Sequence, residues 1–189
     1  MENSEWLIIL IVVVVVILIP VIWFIGTMNT LRRKEVKVEE AESGIDVALT
    51  KRFDALNKLV NTVKGYAKHE AETFENVVKW RAGMPKQLSL EEKQEFQQKM
   101  DTVQSGINVA VEAYPDLKAE KVFVNLQKSI NEVELNLQAA RRLYNANVSR
   151  LNSRIVTFPT SIVAGMIHME KKAFFEAESS KRADVEISF

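Results

Sequence analysis

Residues 6–26 read WLIILIVVVVVILIPVIWFIG, from Trp6 to Gly26, without one charged side chain. No other segment of the 189-residue chain comes near that. At ~1.5 Å per residue, a helix of this stretch is about 31 Å long and matches a bilayer core of ~30 Å. Trp6 and Trp23 stand near its two ends, where indole rings favour the membrane–water interface. Pro20 lacks an N–H and crowds the carbonyl of Val16, which predicts a kink of the kind membrane helices tolerate. The alternative is a cleaved signal peptide, which calls for a basic leader, a shorter apolar run and a small-residue cleavage site. Here the leader MENSE is acidic, and Gly26-Thr27-Met28-Asn29-Thr30 is a poor cleavage site. The segments are therefore a short leader at 1–5, a retained transmembrane anchor at 6–27 and a domain at 28–189.

The flanking charge is one-sided. No Lys or Arg precedes the anchor, while Arg32, Arg33, Lys34 and Lys37 follow it closely. The positive-inside rule then places the C-terminal domain in the cytoplasm and the N-terminus outside. The other use of these side chains is to snorkel to headgroups, which sets no orientation.

Composition narrows the function classes. Lys plus Arg is 25 and Asp plus Glu is 25, so no global field gathers nucleic acid. Aromatic and basic side chains are not interleaved, and no nucleic-acid partner is expected. There is no cysteine, which excludes disulfides, thiolate chemistry and iron–sulfur ligation. His69-Glu70 resembles half of a zinc-protease motif, but position 73 is Thr where the second His belongs. The sequence contains neither a Gly-x-Ser-x-Gly elbow nor a Gly-rich phosphate loop. Carboxylate pairs such as Glu39-Glu40 and Glu91-Glu92 read as solvated helix faces. The expectation is no enzymatic activity, no catalytic residue, no metal and no cofactor.

Beyond the anchor the pattern is helical. Apolar residues recur in steps of three and four from Ala41 through Ile45, Ala48, Leu49, Leu56, Val60, Val63 and Phe74 to Val77. This predicts one helix from Val36 to Arg81, ended at Gly83 and Pro85; Thr27 to Glu35 holds no breaker, which leaves it free to continue from the anchor. Ser89-Leu90-Glu91-Glu92 fits a capping box and opens a second helix, which Pro115 closes and after which Asp116 starts a turn or caps the next helix. Leu126, Ile130, Val133, Leu137, Ala140, Tyr144, Val148, Leu151, Ile155 and Phe158 mark a third helix, near a heptad period, that Pro159 ends or bends. A short apolar piece, 162–167, follows. Val185, Ile187 and Phe189 alternate with polar residues and suggest an extended tail. The fold class is all-α: an N-terminal single transmembrane helix followed by an antiparallel helical bundle with long helices. Arg52, Arg141 and Arg142 are placed to pair between helices with Asp54, Glu132 or Glu134.

Several blocks resemble the signatures of the LemA family. They include Lys51-Arg52-Phe53-Asp54, Leu59 through Glu70 (LVNTVKGYAKHE), Glu112 through Ala119 (EAYPDLKA), Ala140 through Asn145 (ARRLYN), Phe158-Pro159, Phe174-Phe175-Glu176 and the closing Val185 through Phe189. The resemblance runs from the anchor to the last residue. The chain departs from the family at Met28-Asn29-Thr30-Leu31, where a Tyr-Asn-Leu-like exit is common, and at Ala55-Leu56-Asn57-Lys58, where a proline is common. What the resemblance implies is a bacterial inner-membrane protein with an N-terminal anchor, a small external N-terminus and a helical bundle. It supplies no enzymatic activity, cofactor or catalytic residue, and it includes a branch linked to magnetosomes.

Length raises one more expectation. A first helix of 36–81 would extend about 69 Å from the membrane, and a second of about 25 residues would return only about 37 Å before the third runs outward. The stripe of Ala41, Ile45, Ala48 and Leu49 would then lack a cover within the chain and find one in a second copy. Small residues at Ala41, Gly44 and Ala48 would allow close approach. The alternatives are a bend near Gly44 or Gly65, or a C-terminal segment folded over the stripe. The expected partners are the lipid membrane, further copies of the chain in a homo-oligomer, and an unidentified membrane protein. The expected role is a self-associating membrane scaffold; the alternative is a monomeric adaptor or regulatory subunit that presents its bundle to a membrane enzyme or protease.

Overall fold

The first helix does not stop at the membrane exit. In a computed structural model, which describes residues 2–64, 68–82 and 88–175, α1 runs unbroken from Glu2 to Val63, with Pro20 and Gly44 inside it. The described residues form five further helices and no strand: α2 (Lys68–Ala82), α3 (Leu90–Glu112), α4 (Pro115–Ala119), α5 (Lys121–Val156) and α6 (Thr160–Met166). The all-α class and the anchor-to-bundle continuity read from the sequence both hold. The chain divides into two compact units, Met1–Glu40 with Asn145–Ala173 and Ala41–Tyr144 with Phe174–Phe189, and α1 and α5 contribute to both.

One helix boundary differs from expectation. The stripe up to Val77 predicted a single helix to Arg81, yet α1 ends at Val63 and α2 is separate. Gly65, with a helix propensity ~1 kcal/mol poorer than Ala, is the local weak point. The larger cause is tertiary. The Phe74 and Phe53 rings stack with centroids 5.5 Å apart, and Phe53 also lies 5.8 Å from Phe96. Phe74 is buried there, and a straight helix would carry it far from Phe53. Pairs Lys64–Glu75 and Arg81–Thr50 confirm that α2 doubles back along α1.

The helix directions change accordingly. α3 runs the same way as α1, because Lys93 meets Glu42 and Asp46 while Asp101, eight residues on, meets Arg52. It is α2, not α3, that returns. α3 starts on the expected capping box: Glu92 N donates to Ser89 Oγ at 3.2 Å, and Ser89 N donates to Glu92 Oε2 at 2.7 Å. Tyr114, not Asp116, is the N-cap of α4, and Pro115 occupies its first turn.

Buried positions follow a spacing of seven. On α5 they are Phe123, Ile130, Leu137, Tyr144 and Leu151; on α1 they are Leu31, Val38, Ile45, Arg52 and Leu59. Seven residues span nearly two turns, so each series forms one seam along its helix.

In the unit formed by Met1–Glu40 and Asn145–Ala173, α5 runs antiparallel to α1. Asn147 Nδ2 donates to the Lys37 carbonyl at 3.2 Å, and Arg154 and Thr160 line a cleft with Trp23, Gly26 and Thr30. Among the described residues, Leu31, Val38, Val148, Leu151, Val163, Ala164 and Met169 are its buried side chains. α6 ends on a Schellman motif: His168 N donates to Gly165 O at 3.1 Å and Met169 N to Ala164 O at 2.9 Å. His168 takes the left-handed position with φ 51°. The following segment is held by Asn152, whose side-chain amide donates to Lys172 O at 2.8 Å and accepts from Lys172 N at 2.9 Å. The tail positions Val185, Ile187 and Phe189, the helix stop at Gly83 and Pro85, and Gly65 and Tyr66 lie outside the described residues.

Candidate functional site

The anchor residues are bare. Within the described part of α1, one segment is long and apolar enough to cross a membrane, and none of its apolar window is buried by the protein. Trp6 and Trp23 are both exposed, as interfacial indoles would be. A run of Val and Ile that no protein surface covers is costly in water, and a bilayer is the environment that removes the cost.

Past the exit, Arg32 and Arg33 are exposed and Lys34 is half-buried. Glu35 is the focus of this turn: Arg32 Nη1 donates to its Oε2 at 2.8 Å, and Lys172 Nζ lies 3.3 Å from its Oε1. The Arg32 hydrogen bond, opposed by partial burial and reinforced by Lys172, holds the Glu35 carboxyl below its ordinary value. Beside this turn, Trp23, Gly26, Thr30, Leu31, Arg154 and Thr160 border a cleft of about 350 Å³.

The stripe expected to recruit a second copy is already covered. Ala41 is 5% exposed, Ile45 0%, Ala48 6% and Leu49 2%. The premise of an uncovered stalk fails because α2 doubles back and α3 then runs along α1 from its N-terminal end. A Cβ placed on Gly44 would meet open space, so among the described residues no neighbouring helix presses against that position.

Two buried cations sit beside this core. Arg52 is 2% exposed; its Nε lies 3.3 Å from Glu134 Oε2, and its Nη2 donates to Asp101 Oδ1 and to Gln104 Oε1. Lys93, also 2% exposed, lies 2.7 Å from Glu42 Oε1 and 2.9 Å from Asp46 Oδ1. Arg52 joins α1 to α3 and α5, and Lys93 joins α3 to α1. Of the expected arginine pairings, Arg52–Glu134 forms and Arg141 pairs with Glu134 on its own helix at 3.2 Å, while Asp54 is exposed. Arg141 also stacks over Phe175, 5.6 Å from its centroid. Lys93 is absent from the residues that the sequence singled out. The signal was there: Lys93, Met100 and Ile107 are spaced by seven and all are buried. Burial, with Glu42 and Glu91 nearby, holds the Tyr144 phenol above its ordinary value.

This arrangement positions charges for register and surface contact. Among the described residues, no group of three or more His, Asp and Glu side chains is placed to hold a metal ion.

The LemA family profile matches residues 41–189. The chain belongs to the LemA family. It is also similar to Protein LemA of Metamycoplasma hominis, at 30% identity over 166 residues that cover 87% of this chain and 76% of that relative. The LemA match begins at Ala41, so Arg52, Lys93 and their carboxylate partners lie within it. Trp6, Trp23, Arg32, Arg33 and Lys34 precede it.

Proposed function

We propose that this LemA protein is a single-pass membrane-anchored helical scaffold that holds its bundle at the cytoplasmic face of the bacterial inner membrane, with no enzymatic activity of its own. The observation that carries the reading is the bare apolar part of α1, joined without a break to a bundle that buries its own seams. The basic turn at Arg32, Arg33 and Lys34, on the bundle side alone, supports a cytoplasmic bundle. Alkaline carbonate extraction tests the anchor: release into the soluble fraction refutes it. Because the chain has no cysteine, single cysteines at the leader and at exposed Lys37 report orientation by labelling of intact cells. Labelling of Lys37→Cys from outside overturns the orientation.

Burial of Ala41, Ile45, Ala48 and Leu49 favours a second reading, a monomeric adaptor that presents its bundle to another membrane protein. Sizing in mild detergent separates the two. A homo-oligomer supports the scaffold built from many copies; a monomer that co-purifies stoichiometrically with one membrane protein supports the adaptor.

A further inference from the structure

The connection from α5 to α6 carries the second exposed apolar surface of its unit. Val156 is 55% exposed, Phe158 77%, Ile162 52% and Met166 64%. Four large apolar side chains exposed within eleven residues are a concentration, not scattered single exposures. Its level along α1 follows from the helix register. Asn147 bonds to Lys37, and the two helices are antiparallel, so Phe158, eleven residues on, falls level with Gly26, eleven residues back. The cleft agrees, since Pro159 and Thr160 share it with Trp23, Gly26 and Thr27. Gly26 is the last residue of the apolar stretch and Trp23 its interfacial indole.

We infer that the α5–α6 elbow is a second membrane contact, with Phe158, Ile162 and Met166 inserted at the boundary between headgroups and acyl chains. The occupant of this surface is the phospholipid bilayer because the patch is continuous in level with the end of the spanning segment, where a bilayer boundary must pass. Apolar faces of this kind sink ~5–10 Å into that boundary. Arg154, exposed in the last turn of α5 and lining the cleft, and Arg33, exposed just past the anchor, fall at headgroup level and attract anionic lipids. Asn152 and the capped end of α6 hold the elbow in place, so it meets the surface already formed. The unit of residues 1–40 and 145–173 is then held to the membrane at two points instead of by one helix.

This inference rests on α1 spanning the bilayer, and the test separates the two. The full chain is reconstituted in phosphatidylcholine–phosphatidylglycerol vesicles that contain acyl-chain-brominated phosphatidylcholine. An environment-sensitive fluorophore is attached to one cysteine at a time: Val14→Cys within the anchor, Ile162→Cys in the elbow, or Ser149→Cys on the exposed face of α5. The expected result is a blue shift and quenching at 14 and 162 with neither at 149. Addition of Phe158→Asp to the Ile162→Cys chain should reduce quenching at 162 and leave far-UV circular dichroism unchanged, because Phe158 supports no core. Quenching at 14 without quenching at 162 overturns the elbow contact and leaves the anchor standing. Absence of quenching at 14 removes the anchor and the inference together. Equal quenching at 149 and 162 also overturns it, since the whole face would then lie on the lipid.

Discussion

Arg52 Nε lies 3.3 Å from Glu134 Oε2, while the other end of the same guanidinium reaches Asp101 and Gln104. One side chain thus ties three helices. It occupies a seam position, seven residues after Ile45 and seven before Leu59, where the neighbours in the series are aliphatic. A buried cation at such a position is a weak source of stability but a strong constraint on register, because only one sliding of α3 and α5 along α1 brings carboxylates to it.

Arg52→Ala should destabilise the fold by about 3 kcal/mol, the low end for breaking a buried pair, since Asp101 and Glu134 retain some contact with solvent. Arg52→Leu combined with Asp101→Asn and Glu134→Gln should recover most of that loss. Urea unfolding of wild type and the two variants measures both. If the triple variant unfolds as readily as Arg52→Ala, the cost lies in lost packing and not in uncompensated charge.

Lys93 should show the asymmetry from the other side. Glu42→Gln with Asp46→Asn leaves a buried ammonium without a counter-charge, which should cost about 3 kcal/mol. Lys93→Met keeps the volume and frees two carboxylates that are 34% and 49% exposed, so it should stay near wild type. Thermal melts of the two variants side by side check the order, and a reversed order contradicts the assignment.

Glu35 predicts a pH dependence. Its carboxyl is held below the ordinary value of 4.5, first by the Arg32 hydrogen bond, with Lys172 adding to it against the burial. A depressed folded value means that the carboxylate contributes stability above the unfolded value and loses it as pH falls through the folded one. Wild type should therefore exceed Glu35→Gln in stability at neutral pH, and the gap should close progressively below 4.5. A gap that does not change with pH assigns the effect to shape.

His168 holds the left-handed position that glycine favours at a helix end. His168→Gly should raise stability by about 1 kcal/mol through relief of backbone strain. His168→Val should lower it, because a β-branched side chain tolerates positive φ poorly. Denaturant midpoints for the pair, read against wild type, decide it.

Much of this was legible in the sequence. The uncharged run from Trp6 to Gly26, the capping box at Ser89 and Glu92, and the seven-residue series of α5 are local patterns, and local patterns follow from backbone hydrogen bonding and side-chain periodicity alone. The end of α1 was not legible. The stripe continues in step from Val63 to Val77, and no periodicity distinguishes one long helix from two that double back. That choice was made by Phe53, Phe74 and Phe96, which share a cluster only if α2 reverses. The same reversal put α3 beside Ala41, Ile45, Ala48 and Leu49, and so turned an expected docking stripe into core. It also set Lys93 against Glu42 and Asp46, partners about fifty residues away.

For the segment that opens the chain, the sequence by itself determined that a helix of bilayer length leads directly into a helical bundle. Only the tertiary structure decided that α5 descends along that helix far enough to bring Phe158 level with Gly26. The reason is physical: helical period and hydropathy are properties of neighbouring residues, while register between helices is set by contacts such as Asn147 with Lys37, separated by 110 positions in the chain.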